Sequence, residues 1–265
     1  MPALNSISAA QPSTVALFVS DLHLQASLPR TADRFFRFLQ EQAMQTSQLF
    51  LLGDIFEYWA GDDDLTTPFN HTVAQALRQV SDAGVGIFWI AGNRDFLAGA
   101  DFAAAAGLTL LPDPFVLDSA GLRIALAHGD AQCTDDTSYM AFRQQVRQAD
   151  WQKTFLALPL AQRKAIIEGL RKNSQAATSE KTEEIMDVNG AAIDALFDSV
   201  DTNILIHGHT HRPALHVHAG ANGERLRYVL PDWDYDAEPA RGGWITLGGD
   251  GVLQRYDVDG EIIPG

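Results

Sequence analysis

The chain has 265 residues, of which 46% are hydrophobic and 20% are charged. This length favours one large domain or two small ones, and the composition excludes a mainly disordered protein. A formal net charge of −15 disfavours non-specific nucleic-acid binding, which needs lysine and arginine against phosphate. An acidic surface suits a protein that collects divalent cations, but many soluble proteins are simply acidic, so the charge leaves both interpretations open.

The single cysteine, Cys133, excludes a disulfide framework and favours a reducing compartment. The first residues lack the basic start and apolar core of a signal peptide, and no run of about 18 apolar residues predicts a membrane-spanning helix. We therefore expect a cytoplasmic protein that reaches a membrane only through a surface feature.

Short, nearly continuous apolar runs recur along the chain, as is typical of strands in a parallel or mixed sheet covered by helices. The predicted strands are Val15–Val19, Leu49–Leu52, Val85–Ile90, Arg123–Ala127 and Asn203–Ile206. Helical patterns lie between them at Thr31–Met44, Pro68–Ala83 and Ala100–Ala106. Four short antiparallel strands are predicted later, at Pro213–Val217, Arg225–Leu230, Gly243–Leu247 and Gly251–Asp257. The alternation of strands and helices predicts α/β architecture.

The segment from Asp135 to about Val188 contains no convincing strand. The helices predicted in and just after it are Ser138–Ala149, Trp151–Ala157, Leu160–Lys172 and one around Ile185–Val200. A connection of more than 50 residues is too long for an ordinary crossover between core strands. We expect a single domain, residues 1–265, that carries a helical insertion at 135–188 over one end of the sheet.

Residues able to bind metal ions stand where the predicted strands end, which is where open α/β sheets form ligand sites. The blocks are Ser20-Asp21-Leu22-His23, Gly53-Asp54, Gly92-Asn93-Arg94-Asp95, His128-Gly129-Asp130 and His207-Gly208-His209-Thr210-His211. Oxygen and imidazole ligands without thiolate suit manganese, iron, zinc or nickel. About seven ligands are too many for one tetrahedral ion, and they fit two ions about 3.5–4 Å apart that share a carboxylate.

These five blocks, in this order, resemble those of the calcineurin-like metallophosphoesterases. The resemblance covers roughly residues 15–230 and implies a four-layer α/β/β/α sandwich with a two-metal site. It implies that one metal is bound by Asp21, His23, Asp54 and His211. It implies that the other is bound by Asp54, Asn93, His128 and His209, with Asp54 bridging.

Arg94 departs from the common pattern, because most of these enzymes have at its position a histidine that assists the leaving group. An arginine is permanently charged and cannot serve as an ordinary proton donor. It can hold a phosphoryl oxygen and stabilise the charge that develops in the transition state. The change favours a leaving group that departs with little help from a proton, such as a phosphate monoester leaving from a pyrophosphate.

Longer strings narrow the resemblance, and they lie at residues 54–59, 61–64, 92–97, 128–130, 133–136, 185–189 and 206–213. They resemble the UDP-2,3-diacylglucosamine pyrophosphatase family of lipid A synthesis. That family cleaves its lipid-linked nucleotide sugar to UMP and 2,3-diacylglucosamine 1-phosphate, using manganese at the cytoplasmic face of the inner membrane. The resemblance therefore implies two manganese ions per chain, attack of a metal-activated water on the α-phosphorus, and peripheral membrane association. No obligate protein partner is evident.

The resemblance also implies a substrate site. Its matching residues are Asn93, Arg94, Asp136, Ser174, Lys181 and His209. Thr178 stands where the family has an asparagine, so its contact with substrate carries less weight. The catalytic groups among these are Asn93, Arg94 and His209, which would hold the non-bridging phosphate oxygens. Residues 231–236 fit the family pattern less well than the rest.

The predicted insertion suits a substrate that carries fatty chains and a pyrophosphate. Its apolar residues include Leu156, Leu158, Leu160, Ile166, Ile167 and Leu170. Between Arg143 and Lys172 there are seven basic and two acidic residues, a local charge of +5. A basic amphipathic segment of this kind favours an anionic membrane surface. The alternative is a helical hairpin that only packs its leucines on the sheet.

Two other functions stay open. One is a different metallophosphoesterase activity, on nucleotide or phosphodiester substrates, and the other is a scaffold that kept the fold and lost catalysis. Among the remaining polar residues, we expect Asp95 and Asp130 to orient neighbouring arginine or histidine side chains. His207 is expected to be structural. Asp62–Asp64 could form a cation site, but we expect them to form a solvated loop.

Overall fold

A computed structural model describes residues 14–178, 187–220 and 223–264, and for 172–178 it describes the backbone only. The described strands are β1 Thr14–Val19, β2 Gln48–Leu52, β3 Gly86–Ile90, β4 Leu108–Leu111, β5 Phe115–Ser119, β6 Leu122–Leu126, β7 Ile204–His207, β8 Ala214–Gly220, β9 Gly223–Val229, β10 Trp244–Gly248, β11 Leu253–Tyr256 and β12 Ile262–Ile263. The helices are α1 Pro29–Glu41, α2 Pro68–Asp82, α3 Ala100–Ala106, α4 Thr137–Val146, α5 Ala149–Leu156, α6 Leu160–Thr178 and α7 Gly190–Val200.

The strands form two sheets. The first has the order β12-β11-β10-β1-β2-β3-β4, and its strands β1 to β4 are parallel. The second has the order β5-β6-β7-β9-β8, with β6, β7 and β9 parallel. Parallel neighbours end at the same edge of their sheet, so the segments that follow β1, β2 and β3 emerge side by side.

Alternating side chains place each strand between two cores. In β1, Ala16 and Phe18 lie between the two sheets, whereas Leu17 and Val19 pack with the helices α1, α2 and α3 on the outer face. In β6, Ile124 points between the sheets and Ala125 packs with α7. The layers are therefore helices, sheet, sheet and helix, which confirms the predicted four-layer α/β/β/α sandwich.

The predicted elements agree with the structure where the apolar pattern is strong. The five core strands and the main helices are present, with ends that differ by a few residues. Helix α1 begins at Pro29 because proline suits the first turn, where its missing N–H has no partner to lose. Strands β4, β5 and β12 were not predicted, because they are short and partly exposed.

Helices α4, α5 and α6 follow one another outside the sandwich, and we refer to residues 137–178 as the insertion. Phe155 belongs to the same buried cluster as the outer face of the first sheet, and Trp151, Leu158 and Ile167 pack against it. Among the described residues no helix is long and apolar enough to cross a bilayer. Because residues 179–186 are outside the described part, the predicted limits 135–188 stay a prediction.

Asp62, Asp63 and Asp64 do not form the solvated loop that the sequence suggested. Asp62 accepts hydrogen bonds from the backbone N–H groups at the start of α3, including that of Asp101 at 2.9 Å. Asp63 pairs with Arg163, and the buried Asp64 lies 2.5 Å from the ammonium of Lys164. These aspartates therefore cap one helix and attach α6 to the body of the protein.

Candidate metal centre

The backbone at the predicted ligands has an uncommon conformation. Five predicted ligands have positive φ angles between 46° and 68°, namely Asp21, His23, Asp54, His209 and His211. Only two other non-glycine residues of the described part share this left-handed conformation. Such backbone is unfavourable for residues with a Cβ and persists where the surrounding structure imposes it, most often at functional sites.

Two glycines allow the chain to pass close to the carboxylates. A Cβ added at Gly92 would overlap the side chain of Asp54, and one added at Gly208 would overlap that of Asp21. Both positions therefore require glycine for close approach. Glycine stands beside a predicted ligand in four of the five sequence blocks, and close approach explains it at these two positions.

One group of ligand atoms comes from Asp21, His23 and His211, whose ligand atoms all lie within 4.8 Å of one another. The Nε2 atoms of His23 and His211 face each other at 3.2 Å, and His211 Nε2 lies 3.5 Å from Asp21 Oδ1. The three side chains come from the ends of β1 and β7, which are strands of different sheets. The sandwich thus brings together three of the four ligands that the resemblance implied for the first metal, and Asp54 is not in this group.

A second group adjoins the first and consists of Asp21, Asp54 and His128. Asn93 Oδ1 lies 2.9 Å from His128 Nε2 and 2.9 Å from His209 Nδ1, so the amide and both imidazoles converge on one point. In this geometry Asp21 belongs to both groups, whereas the resemblance gave the bridging position to Asp54. The seven predicted ligands form one continuous site, and the bridging role of Asp54 stays a prediction.

The charges of the site suit cations. Asp21 is fully buried, and its Oδ1 has no hydrogen-bond donor, although Ser20 and the backbone N–H of His209 donate to Oδ2. Burial opposes ionisation of Asp21, but the neighbouring histidines, His211 foremost, lower the pKa of its carboxyl. Burial likewise opposes protonation of His128, but Asp54, Asp21 and Asp130 raise its pKa to about 9. A buried anionic oxygen without a donor, facing imidazole nitrogens, fits divalent metal binding.

Arg94 and Asp95 support Asp54. The backbone N–H of Arg94 donates to Asp54 Oδ1 at 2.8 Å, and its guanidinium Nε lies 3.8 Å from Asp54 Oδ2. Buried Asp95 accepts hydrogen bonds from the backbone N–H groups of Gly92 at 2.8 Å and Ile55 at 2.7 Å. The expectation that Asp95 orients an arginine or histidine side chain is wrong. Its carboxylate oxygens instead accept hydrogen bonds from backbone N–H groups of the two loops that carry Asp54 and Asn93.

The insertion reaches the site through a contact that the sequence analysis missed. The ring of Tyr139 stacks on His209 with centroids 6.0 Å apart, and its hydroxyl donates to Asp130 at 2.6 Å. Asp130 also accepts from Arg143 Nε at 2.8 Å, as expected of a residue that orients an arginine. The spacing of Tyr139 and Arg143, one helical turn apart at the start of α4, was the available signal.

The predicted substrate residues divide into two groups. Asn93, Arg94 and His209 lie in the metal centre, as described above. Asp136 lies at the N-cap of α4, where it accepts a hydrogen bond from the backbone N–H of Tyr139 at 3.0 Å. Lys181 and the side chains of Ser174 and Thr178 lie outside the described residues, so their contacts with substrate stay predictions.

His207 is fully buried and has a structural role, as the sequence analysis expected. Its Nε2 accepts from Arg227 at 3.2 Å, so its Nδ1 carries the proton and donates to the carbonyl of Gly208 at 2.9 Å. Burial, aided by the charge of Arg227, lowers its pKa to about 3. His207 is therefore neutral at physiological pH and supports the loop that carries His209.

Comparison with known proteins identifies the family. The family model of the calcineurin-like phosphoesterases matches residues 15–213, which include all seven predicted ligands. The chain belongs to the calcineurin-like phosphoesterases.

This calcineurin-like phosphoesterase is similar to three proteins described as UDP-2,3-diacylglucosamine hydrolase. The first, from Aromatoleum aromaticum, is 50% identical over 84% of this chain and 90% of the relative. Those from Ralstonia nicotianae and Cellvibrio japonicus are each 47% identical over 91% of this chain, covering 91% and 99% of those relatives.

Replacement of Asp54 by asparagine removes one buried charge without changing the shape of the side chain. We expect Asp54→Asn to fold normally, to bind divalent metal more weakly by calorimetry, and to lose phosphoester hydrolysis by roughly 10²- to 10³-fold or more. Asp118→Asn, which makes the same change at an exposed carboxylate of β5, should leave both quantities unchanged. Loss of activity together with global unfolding would make Asp54 a structural residue.

The pKa of His207 predicts how stability depends on pH. The unfolded chain binds a proton at His207 near pH 6.5, whereas the folded protein binds it only near pH 3, so acid favours unfolding. We expect the unfolding free energy of the wild type to fall by about 2 kcal/mol more than that of His207→Gln between pH 6.5 and 5. Urea unfolding in the presence of a chelator measures this difference. Parallel pH profiles would show that His207 is protonated in the folded state.

Proposed function

We propose that this chain hydrolyses the pyrophosphate bond of UDP-2,3-diacylglucosamine, producing UMP and 2,3-diacylglucosamine 1-phosphate for lipid A biosynthesis. The observation that carries the proposal is a pair of adjoining clusters of candidate metal ligands beside an insertion with exposed apolar side chains. Relatives at 47–50% identity that span most of the chain are named for this hydrolysis, which supports the same substrate. The apolar surface distinguishes this substrate from nucleotides, which have no acyl chains.

The chain's own residues would bind and polarise the pyrophosphate. Two divalent cations, when bound, would activate water and neutralise phosphoryl charge, and we propose manganese because the oxygen and imidazole ligand set suits it. Arg94 presents a permanently charged guanidinium that is about a third exposed, so it can hold a phosphoryl oxygen. Asn93 and His209 would fix the remaining oxygens of the α-phosphate beside it, and the sugar 1-phosphate would leave toward the insertion.

The insertion would hold the acyl chains. Of the six apolar residues singled out in the sequence, Leu158 and Ile167 pack against the body of the protein and are unavailable to a ligand. Leu156, Ile166 and Leu170 are 37–41% exposed, and the last two share one face of α6 because they are four residues apart. This partly exposed face supports a lipid-binding role better than a purely structural hairpin.

Hydrolysis of the proposed substrate can be tested by measuring its two products. Purified protein incubated with UDP-2,3-diacylglucosamine and manganese should release UMP and 2,3-diacylglucosamine 1-phosphate in equal amounts, and a chelator should stop the release. Activity restored by manganese and not by magnesium supports the proposed metal. Cleavage of a simple aryl phosphodiester without UMP formation would favour a different phosphoesterase activity, and no hydrolysis of either substrate would favour a scaffold.

We also propose that the protein lies on the cytoplasmic surface of the inner membrane, attached by the apolar face of the insertion. The positive charge of residues 143–172 supports membrane attachment less than the sequence suggested. Five of the seven basic residues in that segment contact the body of the protein instead of facing outward. Arg143 and Arg147 both contact Asp130, and Arg147 also donates to the carbonyl of Gly92. In α6, Arg171 contacts Glu57, and Arg163 and Lys164 pair with Asp63 and Asp64 as described above. The apolar side chains support attachment better. Nine large hydrophobic residues of the described part are exposed, and four of them lie in the insertion, namely Phe142, Leu156, Ile166 and Leu170.

Membrane attachment can be tested by flotation with phospholipid vesicles. We expect the double variant Ile166→Ser and Leu170→Ser to bind at least about tenfold more weakly than wild type, because each exposed side chain contributes apolar area to the contact. Val217→Ser, at a 56% exposed site on β8, should bind like wild type. Equal binding by all three proteins, or none by the wild type, would contradict attachment through the insertion.

A further inference from the structure

Glu57 is a buried carboxylate that basic groups from three distant parts of the chain surround. His23 Nδ1 lies 3.1 Å from its Oε2, and Arg94 Nη1 donates to its Oε1 at 3.4 Å. Arg171 Nη2, from helix α6 of the insertion, donates to the same Oε1. Glu57 is only 9% exposed, so solvent screens these contacts weakly. One side chain thus touches a metal ligand, a substrate residue and the insertion.

We propose that Glu57 is a positioning residue that orients His23 and Arg94 and, through Arg171, fixes helix α6 relative to the metal centre. The part that concerns Arg94 rests on the proposed function. The parts that concern His23 and helix α6 do not, because they depend only on contacts within the chain.

The two ring nitrogens of His23 face different partners. Its Nδ1 lies 3.1 Å from Oε2 of the Glu57 carboxylate, and its Nε2 faces His211 Nε2 at 3.2 Å inside the ligand group. A carboxylate beside the nitrogen that does not bind metal favours a proton on that nitrogen and restrains the ring of a histidine ligand. Without Glu57, the His23 ring would lose an electrostatic contact that keeps Nε2 directed into the site.

The side chain of Arg94 would be mobile without its carboxylate neighbours. Its guanidinium is about a third exposed, and a long side chain in that setting has several accessible rotamers. Glu57 on one side and Asp54 Oδ2, at 3.8 Å, on the other restrict it to the edge of the metal centre. The guanidinium is therefore already in place when an anionic ligand arrives.

Arg171 comes from a distant part of the chain. It lies 114 positions after Glu57, and its guanidinium also lies over the ring of Tyr58 at 5.8 Å from the centroid. Two further ionic contacts of α6 among the described residues, made by Arg163 and Lys164, are to Asp63 and Asp64, which are not part of the metal centre. Arg171 thus connects helix α6 to a carboxylate that contacts a predicted ligand.

The test compares Glu57→Gln, Arg171→Met and the double variant, with Lys164→Met as the matched control on the same helix. Metal affinity by calorimetry and hydrogen exchange of the α6 amides 160–171 are measured without substrate. We expect Glu57→Gln to weaken metal binding by about 10- to 100-fold and to speed exchange in α6. Arg171→Met should speed exchange equally and leave metal affinity within about twofold, and the double variant should exchange no faster than either single variant.

The control and the kinetics separate positioning from general loosening. Lys164→Met should also speed exchange in α6, but its effect should add to that of Glu57→Gln. With substrate, Glu57→Gln should lower kcat, whereas Arg171→Met should mainly raise KM. If Glu57→Gln does not fold, Glu57→Asp, which keeps the charge and shortens the side chain, should give a smaller change in the same direction. Unchanged metal affinity in Glu57→Gln, or additive effects of Glu57→Gln and Arg171→Met, would overturn the proposal.

Because metal affinity and amide exchange need no substrate, their outcome is independent of the hydrolysis assay. A negative assay with UDP-2,3-diacylglucosamine would remove the proposed substrate and leave these two readouts standing. Wild-type turnover with unchanged readouts in the variants would leave the substrate standing and remove Glu57 as a positioning residue.

Discussion

The buried negative charge of Asp21 and Asp54 is the constraint around which the rest of the molecule is arranged. Strands β1 and β2 are parallel neighbours, so both carboxylates emerge at one edge of the first sheet. Buried carboxylates are stable only with donors or positive charge nearby. The structure meets this need with histidines from the second sheet, and the pKa of His128, raised to about 9, shows how strongly the site attracts positive charge. A site with this imbalance is suited to binding cations.

The fold and the convergence of the predicted ligands could be predicted because the signals for both are local. An apolar run followed closely by a metal-binding residue specifies a buried strand and the turn that ends it. The strands β1, β2, β3, β6 and β7 all carry this pattern. Parallel pairing then brings their ends together without any knowledge of individual contacts, which is why seven ligands separated by up to 190 positions could be assigned to one site.

The residues that the sequence analysis missed act through distant partners. Glu57 meets Arg171, Asp63 meets Arg163 and Trp233 donates its backbone N–H to the carbonyl of Asp21 at 2.9 Å, and none of these pairs has a local pattern. The aspartates after Gly61 resembled a solvated loop because only distant partners give them a structural role, 39 positions later for Asp62 and 100 positions later for Asp63. The hydrogen bond between Trp233 and Asp21 also shows that residues 231–236, which fitted the family pattern less well than the rest, adjoin the metal centre.

The insertion leaves the sandwich after β6 and returns before α7, so no ligand strand passes through it. A lineage could therefore alter its length or its apolar residues, and with them the hydrophobic portion of the substrate, without rebuilding the catalytic frame. Tyr139, Arg143 and Arg171 limit that freedom, because each is joined to a carboxylate next to a metal ligand. Divergence of specificity in such proteins would accordingly be expected at the outward-facing positions of the helices, while these inward-facing positions stay under selection.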